Sequence, residues 1–303
     1  MDFLTLIFYY EFRDTVIVIN DNRIFFMIPK VIHYVWVGPA EKPLEVKNCI
    51  ASWRKSCPDY KIVEWNDEVL SSINNQYLHE AYKAGKWAFV SDVLRLYALL
   101  SGGIYCDTDV EIKKNLDEFL KNSFFMSFES NPSIRNQIKV PSTALIGAEP
   151  ENKIIRGMLK EYENLSFKKD DGSFDLTTNV VRFNNFFRKN FPQYANGLDI
   201  NRPKIIEQGI VIYPYYYFCL PKDGYPNYAI HNFEGTWLPP VSQKVILDLH
   251  SEVFNFLNFK ILGFRKNKSF TNEVAWPPKI EGKLIFKMPW LKKSLIGIYK
   301  NLS

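Results

Sequence analysis

Ser91-Asp92-Val93-Leu94-Arg95-Leu96-Tyr97-Ala98-Leu99-Leu100-Ser101-Gly102-Gly103-Ile104-Tyr105-Cys106-Asp107-Thr108-Asp109 is the stretch on which the fold turns. Val90, Val93, Leu94, Tyr97 and Leu100 trace one face over 88–100, which predicts an amphipathic helix. Gly102-Gly103 stops it. The β-prone run Ile104-Tyr105-Cys106 follows, and it empties directly into two carboxylates, Asp107 and Asp109.

Working outward, the same alternation recurs. Val31–Val37 is a continuous β-prone run between Pro29 and Gly38-Pro39, as expected of a central strand covered on both faces. Val46, Cys49, Ile50 and Trp53 recur at helical spacing up to Cys57-Pro58, where proline blocks continuation. A second strand is predicted at Tyr60–Trp65, closed by the Asn66-Asp67 turn. Further strands are expected at Phe124–Phe128 and Thr143–Gly147, helices at Ile154–Leu165 and Thr177–Phe191, and a strand running into an aromatic loop at Lys204–Tyr217. The pattern predicts an α/β fold with a mostly parallel central sheet flanked by helices. Ligands of such sheets sit at the carboxyl ends of the strands.

Composition supports a folded chain: 303 residues, 47% hydrophobic and 16% aromatic, bury a sizeable core. Charge is uneven. Residues 260–303 carry ten basic side chains against Glu273 and Glu281, a net +8, which leaves −3 for residues 1–259 of a chain that totals +5. Cys49, Cys57, Cys106 and Cys219 form no C-x-x-C pair, so neither a disulfide framework nor a structural zinc site is expected, and a reducing cytoplasm fits. The apolar run Leu4–Tyr10 is too short for a membrane span and lacks a basic leader. Three segments are expected: an N-terminal extension or edge strand over 1–26, a main domain over 27–259, and a basic amphipathic segment over 260–303.

Asp107 and Asp109 are two apart, so an extended backbone aims both carboxylates to one side of the strand exit while Thr108 faces away. Two like charges that close repel unless a cation lies between them. Mn²⁺ or Mg²⁺ is the expected ion, because hard cations take a few carboxylates and complete their shell with substrate phosphates. Asp92 and Arg95 are three apart on the preceding helix, where Arg95 can offer its fork to a phosphate or pair with Asp92. A surface ion pair is the alternative reading.

Four pieces of the chain together resemble a known family: Ile32-His33-Tyr34-Val35-Trp36-Val37-Gly38, Ala88-Phe89-Val90-Ser91-Asp92-Val93-Leu94-Arg95, Gly102–Asp109 and His231-Asn232-Phe233-Glu234-Gly235-Thr236-Trp237-Leu238. They look like the glycosyltransferases that include bacterial capsular polysaccharide transferases and Och1-type mannosyltransferases, and are distantly similar to the glucosylating domain of large clostridial toxins. The resemblance spans about residues 28–240. It implies a GT-A type nucleotide-diphospho-sugar transferase fold, a divalent metal and retention of anomeric configuration. Carried over position by position, it gives Trp36 the face that stacks on the donor base, with Val35 beside it. Asp92 and Arg95 would contact the donor sugar or its phosphate, and Tyr105 would line the same pocket. Asp109 would bind the ion directly, and Asp107 would act through the sugar nucleotide and a metal-bound water. His231 or Glu234 would complete the metal shell, and Trp237 would reach the leaving diphosphate.

Several of these residues also have ordinary structural readings. Trp36 sits in an apolar strand and suits a core, His33 is read as core, and His231 follows a short apolar run that suits a satisfied buried histidine. The Tyr213–Phe218 run reads as packing rather than a sugar platform. Thr177-Thr178-Asn179 stands where a helix cap is expected, with Asn179 a further candidate contact. Between Lys283 and Lys300, apolar anchors interleave with lysines as in membrane-surface helices, which would place the enzyme on the inner face of the plasma membrane beside a lipid-linked oligosaccharide acceptor. An amphipathic helix packed on the body is the alternative.

The expected activity is therefore a retaining, metal-dependent hexosyltransferase. It would move a hexose or N-acetylhexosamine from a nucleotide sugar, UDP-linked by preference, to a saccharide acceptor in capsule, O-antigen or other surface polysaccharide synthesis. Two other readings use the same residues: a metal-dependent phospho- or nucleotidyltransferase, for which only Glu111 offers a third carboxylate nearby, and a non-catalytic carbohydrate-binding protein. Nucleic acid is not an expected partner, because the body of the chain is net negative.

Overall fold

The computed structural model describes residues 17–20, 23–129, 140–195 and 199–233. The remaining positions, including Glu234, Trp237 and the whole basic segment 260–303, lie outside the described residues. Everything described belongs to one compact unit.

The chain first pairs β1 (Ile17–Asn20) with β2 (Arg23–Phe26) as an antiparallel hairpin, a sheet of its own rather than an edge of the central one. The central sheet follows, built from β3 (Val31–Val35), β4 (Lys61–Trp65), β5 (Gly103–Cys106), β7 (Phe124–Phe128), β8 (Pro141–Ala148), β9 (Lys204–Glu207) and β10 (Ile210–Tyr213), in the order β4-β3-β5-β8-β7-β10-β9. β4, β3, β5, β7 and β10 run one way, while β8 and β9 oppose them. The α/β sheet flanked by helices that the alternation predicts is what forms; five of its seven strands run one way, and three of its six pairings are antiparallel.

Its strands bury both faces, and the core splits in two accordingly. On one face Tyr105, Phe124, Met126, Phe128, Ile146 and Ala148 meet α2 (Gln76–Lys83), α3 (Trp87–Leu100), α4 (Lys153–Glu163) and α5 (Asn179–Asn190). On the other, Ile32, Tyr34, Ile104, Cys106, Phe125 and Leu145 meet α1 (Leu44–Ser56), whose Val46, Cys49, Ile50 and Trp53 are the buried stripe its spacing predicts. The period-two alternation along each strand thus sorts side chains between the two cores. A short helix α6 (Pro192–Ala195) follows α5.

Three local expectations are corrected. Lys204–Tyr217 is not one strand: Gly209, at φ +82°, turns it into the β9–β10 hairpin, and Tyr215–Phe218 is a helical turn, α7. β6 (Val110–Ile112) and β11 (Ala229–His231) form a separate antiparallel pair absent from the sequence reading. Strand β5 ends at Cys106 rather than extending through Asp109; the Val110 amide bonds to the Asp107 carbonyl at 3.0 Å, closing a tight turn.

The glycine pair before β5 shows why that stretch is so constrained. Gly102 and Gly103 both have positive φ, +78° and +123°, and a Cβ on Gly103 would stand 2.8 Å from the Val31 carbonyl oxygen. His33 explains the rest: Trp65 Nε1 donates to its Nδ1 at 3.2 Å, so its Nε2 carries the proton and donates to the Gly102 carbonyl at 3.0 Å. It is a neutral core histidine that ties β3, β4 and the α3–β5 link together.

Candidate active site

β4, β3 and β5 run parallel, so their carboxyl ends open onto one edge of the sheet. Asp107 is the first residue beyond β5, and its backbone amide continues the ladder to Ala144 on β8 at 2.8 Å. The turn that follows, not strand alternation, brings Asp109 round beside it. β6 leaves this turn and recruits β11 antiparallel, with His231 opposite Val110. The Asn232 amide bonds to the Asp109 carbonyl at 3.0 Å and the His231 amide to the Cys219 carbonyl at 2.8 Å. A residue more than 120 positions away is thereby delivered to the pair.

Asp107, Asp109 and His231 each offer one donor atom, and these atoms all lie within 4.8 Å of one another. His231 Nε2 stands 3.3 Å from Asp109 Oδ2, while its Nδ1 is buried without a hydrogen-bond partner. Two carboxylates and an imidazole whose Nδ1 is buried without a partner fit a divalent cation. Burial alone would lower the His231 pKa, but the Asp109 hydrogen bond and the fields of Asp109, Asp107 and Glu129 together raise it. The surrounding carboxylates thus favour positive charge at this point.

Arg95 and Tyr105 converge on Asp107. The Tyr105 hydroxyl donates to Asp107 Oδ1 at 2.7 Å, and Arg95 Nη2 lies 3.3 Å from the same oxygen and 2.8 Å from Asp92 Oδ1. Arg95 Nη1 donates to the Thr143 carbonyl at 2.7 Å and Nε to the Ser91 carbonyl at 3.3 Å. The guanidinium is stacked 4.7 Å over the Tyr105 ring. The Asp92–Arg95 pair is therefore buried, not a surface ion pair, and the fork expected to reach a phosphate is directed at Asp92, Asp107 and two carbonyls. Burial pushes Asp92 up to about 6, opposed by Arg95 and reinforced by Asp107. Asp107 is likewise raised, chiefly by burial, with Arg95 pulling it down.

Asp92 is also held from below. The Asn179 amide donates to its Oδ2 at 3.1 Å and the Asn179 side chain to its carbonyl at 3.0 Å, so the start of α5 caps onto the middle of α3. Asn179 is thus tied to Asp92, while Thr178 makes no side-chain cap.

Val35 is buried at the end of β3, and Trp36 is half-buried just beyond it, its indole N–H donating to the Ala40 carbonyl at 2.8 Å. The Tyr213–Phe218 aromatics interlock with Phe119 and Tyr228, with Phe119–Phe218 centroids 4.8 Å apart, as a packing block. Glu111 pairs with Lys113 and is half-exposed, so it is not the third carboxylate of the site. Glu129 follows β7 at the same sheet edge and its field acts on His231 without its joining the three-residue cluster; its carbonyl accepts from Cys219 Sγ at 3.8 Å, and burial raises its pKa, with His231 pulling it down and Asp107 pushing it up. In the sequence it is a lone acid at the carboxyl end of the apolar run Phe124–Phe128, which by itself does not mark it as part of a site.

Residues 43–126 match the model of a family described as a glycosyltransferase sugar-binding region containing a DXD motif, a span that holds Asp92, Arg95, Asp107 and Asp109. Over 191 residues the chain is 27% identical to the uncharacterized glycosyltransferase L373 of Acanthamoeba polyphaga mimivirus, covering 60% of this chain and 71% of that protein. It is 31% identical over 124 residues to inositol phosphoceramide mannosyltransferase 3 of Schizosaccharomyces pombe, covering 37% of this chain and 32% of the yeast protein. The chain thus spans about a third of the length of that yeast relative. Among solved structures, the PaToxG glycosyltransferase superposes with a TM-score of 0.43 at 18% identity, covering 63% of this chain and 77% of the other. A glycosyltransferase involved in the glycosylation of the major capsid of PBCV-1 does so at 0.41 and 8%, covering 73% and 100%. The chain carries a DXD-type glycosyltransferase domain and is a transferase enzyme.

Proposed function

We propose that this chain transfers a hexosyl or N-acetylhexosaminyl unit from a nucleotide sugar, UDP-linked by preference, to a saccharide acceptor on a growing surface polysaccharide, with retention at the anomeric carbon and in a GT-A framework. The observation that carries it is the meeting of Asp107, Asp109 and His231 at the carboxyl edge of the parallel strands, where α/β sheets receive nucleotides.

These three residues would hold Mn²⁺ or Mg²⁺, which would supply positive charge to offset that of the leaving diphosphate. The chain's own residues do the rest by position. Asp109 and His231 are fixed by the β6–β11 ladder, and Asp107 is aimed by the Tyr105 hydroxyl and the Arg95 fork. Asp92, buried and anchored by Asn179, holds Arg95 in place and would contact the donor sugar. Trp36 would receive the base. The acceptor hydroxyl attacks the anomeric carbon on the face the diphosphate leaves, the glycosidic bond to phosphate breaks with its electron pair, and the hydroxyl proton passes to the departing phosphate oxygen. Preorganised charge of this kind supplies the rate without a dedicated protein base.

A second reading is a mannosyl donor with a glycolipid acceptor, favoured by the name of the fission-yeast relative and by the net +8 of residues 260–303, which would draw the enzyme to an anionic membrane surface. Among the described residues no helix is long and apolar enough to cross a membrane.

The deciding experiment screens UDP-galactose, UDP-glucose, UDP-N-acetylhexosamines and GDP-mannose for hydrolysis by the full chain with Mn²⁺ and then with EDTA. Hydrolysis of one donor, lost on chelation and restored by the ion, is the expected result. No turnover of any donor, or turnover indifferent to EDTA, defeats the metal-dependent reading.

A further inference from the structure

The nucleotide end of the site rests on a residue that neither the motif nor the metal reading calls on. Beyond β3 the backbone stays in register as far as Trp36, whose amide bonds to the Trp65 carbonyl at 2.9 Å. It then breaks away. Gly38 takes φ +89°, and its amide points at the carboxylate of Asp67, 3.1 Å from Oδ1 and 3.2 Å from Oδ2. Asp67 is the first residue after the β4 exit turn, in a short 3-10 helix over Asp67–Ser72 that the Asn66 side chain caps. Its Oδ1 also accepts the Tyr82 hydroxyl at 2.6 Å. Both donors are neutral, so the carboxylate serves here as a hydrogen-bond anchor, and charge-assisted bonds of this type are about twice as strong as neutral ones.

The anchor is enclosed by shape. The Trp87 ring lies flat enough against Gly38 that a Cβ there would come within 2.8 Å of it, and Trp87 in turn meets Tyr82 edge-on at 5.3 Å. Trp36 closes the loop from the other side by donating its indole N–H to Ala40. Loop 36–40 is therefore pinned at both ends, by Asp67 on its backbone and by its own tryptophan. Trp87, Ser91 and Arg95 stand four apart on α3, on one face. One rigid helix thus spans from the Gly38 loop to the carboxylate that Arg95 aims.

We propose that Asp67 is a positioning residue for the donor nucleotide: by fixing Gly38 it holds loop 36–40, and with it the Trp36 ring, in the stance that receives the base before the donor arrives. This rests on the nucleotide-sugar reading above. An aromatic face that is already ordered binds a base without the cost of ordering it on contact. Asp67 acts on ground-state donor affinity, not on the reacting bond, so its loss shows in KM and leaves kcat close to unchanged.

The test compares the full chain with Asp67→Ala and Asp67→Asn, measuring KM and kcat for the donor, the Kd of UDP and GDP without sugar, and Tm. Asp67→Ala is expected to raise KM and the nucleoside diphosphate Kd together by about five- to tenfold, the worth of roughly one ordering hydrogen bond, with kcat within about twofold. Asp67→Asn keeps an acceptor oxygen for Gly38 and is expected to recover most of that loss. A wild-type KM in Asp67→Ala, or a fall in kcat that tracks Tm, overturns the proposal while the wild-type enzyme still turns over its donor. Absence of nucleoside diphosphate binding and of donor hydrolysis in the wild type removes the donor reading and this proposal with it.

Discussion

α3 has two ends that are held in opposite ways. At Arg95 the fit is electrostatic: a buried guanidinium, two carboxylates and a phenol crowd onto Asp107, with the Asp109–His231 pair beside them. At Trp87, two turns earlier, shape orders the loop: a positive-φ glycine, its amide bonded to the Asp67 carboxylate, and three aromatic rings set its path. The charged end is made of groups that are costly to bury alone and so depend on one another. The shaped end leaves no buried charge unpaired when one contact is trimmed, so each loss there is smaller. The proposed function, a cation for a diphosphate and a ring for a flat base, would suit two ends built this way.

If the comparison holds, damage to the charged end is the more severe. Asp109→Ala is expected to lower donor turnover by about 10²–10³-fold or more while Tm stays near the wild-type value; a turnover rate within about threefold of wild type contradicts the site. Next comes Arg95→Met, which keeps the stem and deletes the fork. It leaves Asp92 and Asp107 facing each other in a buried place, so a stability loss of about 3–5 kcal/mol is expected from urea unfolding, together with a 10- to 100-fold loss of cation affinity through the disordered Asp107.

At the shaped end Gly38→Ala sharpens the contrast. Its Cβ meets Trp87 at a backbone angle that alanine rarely adopts, so about 1–2 kcal/mol of stability is expected to go, with weaker UDP binding and unchanged Mn²⁺ affinity. A fall in Mn²⁺ affinity would join the two ends into one network and end the distinction. The smallest effect concerns the thiols. All four cysteines are buried as thiols outside any disulfide, and burial pushes Cys57 up to about 11 and raises Cys106 and Cys219. Ellman's reagent at pH 8 is expected to titrate fewer than about one thiol per folded chain and all four on unfolding.

The sites were not equally legible in the primary structure. Asp107 and Asp109 could be read because glycines, an apolar strand and two acids stand in one short string, and His231 because it heads a recognisable run. Arg95 could be seen but not its use: three-residue spacing puts it near Asp92 on a helix, whereas its turn toward Asp107 and Thr143 depends on β5 and β8 lying above that helix. Glu129 and Asp67 were missed because each is a single acid after a strand, with no local pattern to separate it from a solvated turn.

What the chain's order of residues settles by itself is periodicity: which faces are apolar, where glycine and proline end an element, and hence an α/β sheet with acids at a carboxyl edge. Those are interactions between near neighbours, whose spacing is set by covalent geometry. The tertiary structure alone decides which acids meet. β6 recruiting β11, the tight turn that swings Asp109 beside Asp107, and the Asp67 carboxylate reaching Gly38 across 29 positions all join residues whose separation along the chain says nothing of their distance in space. Packing of the two cores against the sheet sets those distances, and with them the chemistry.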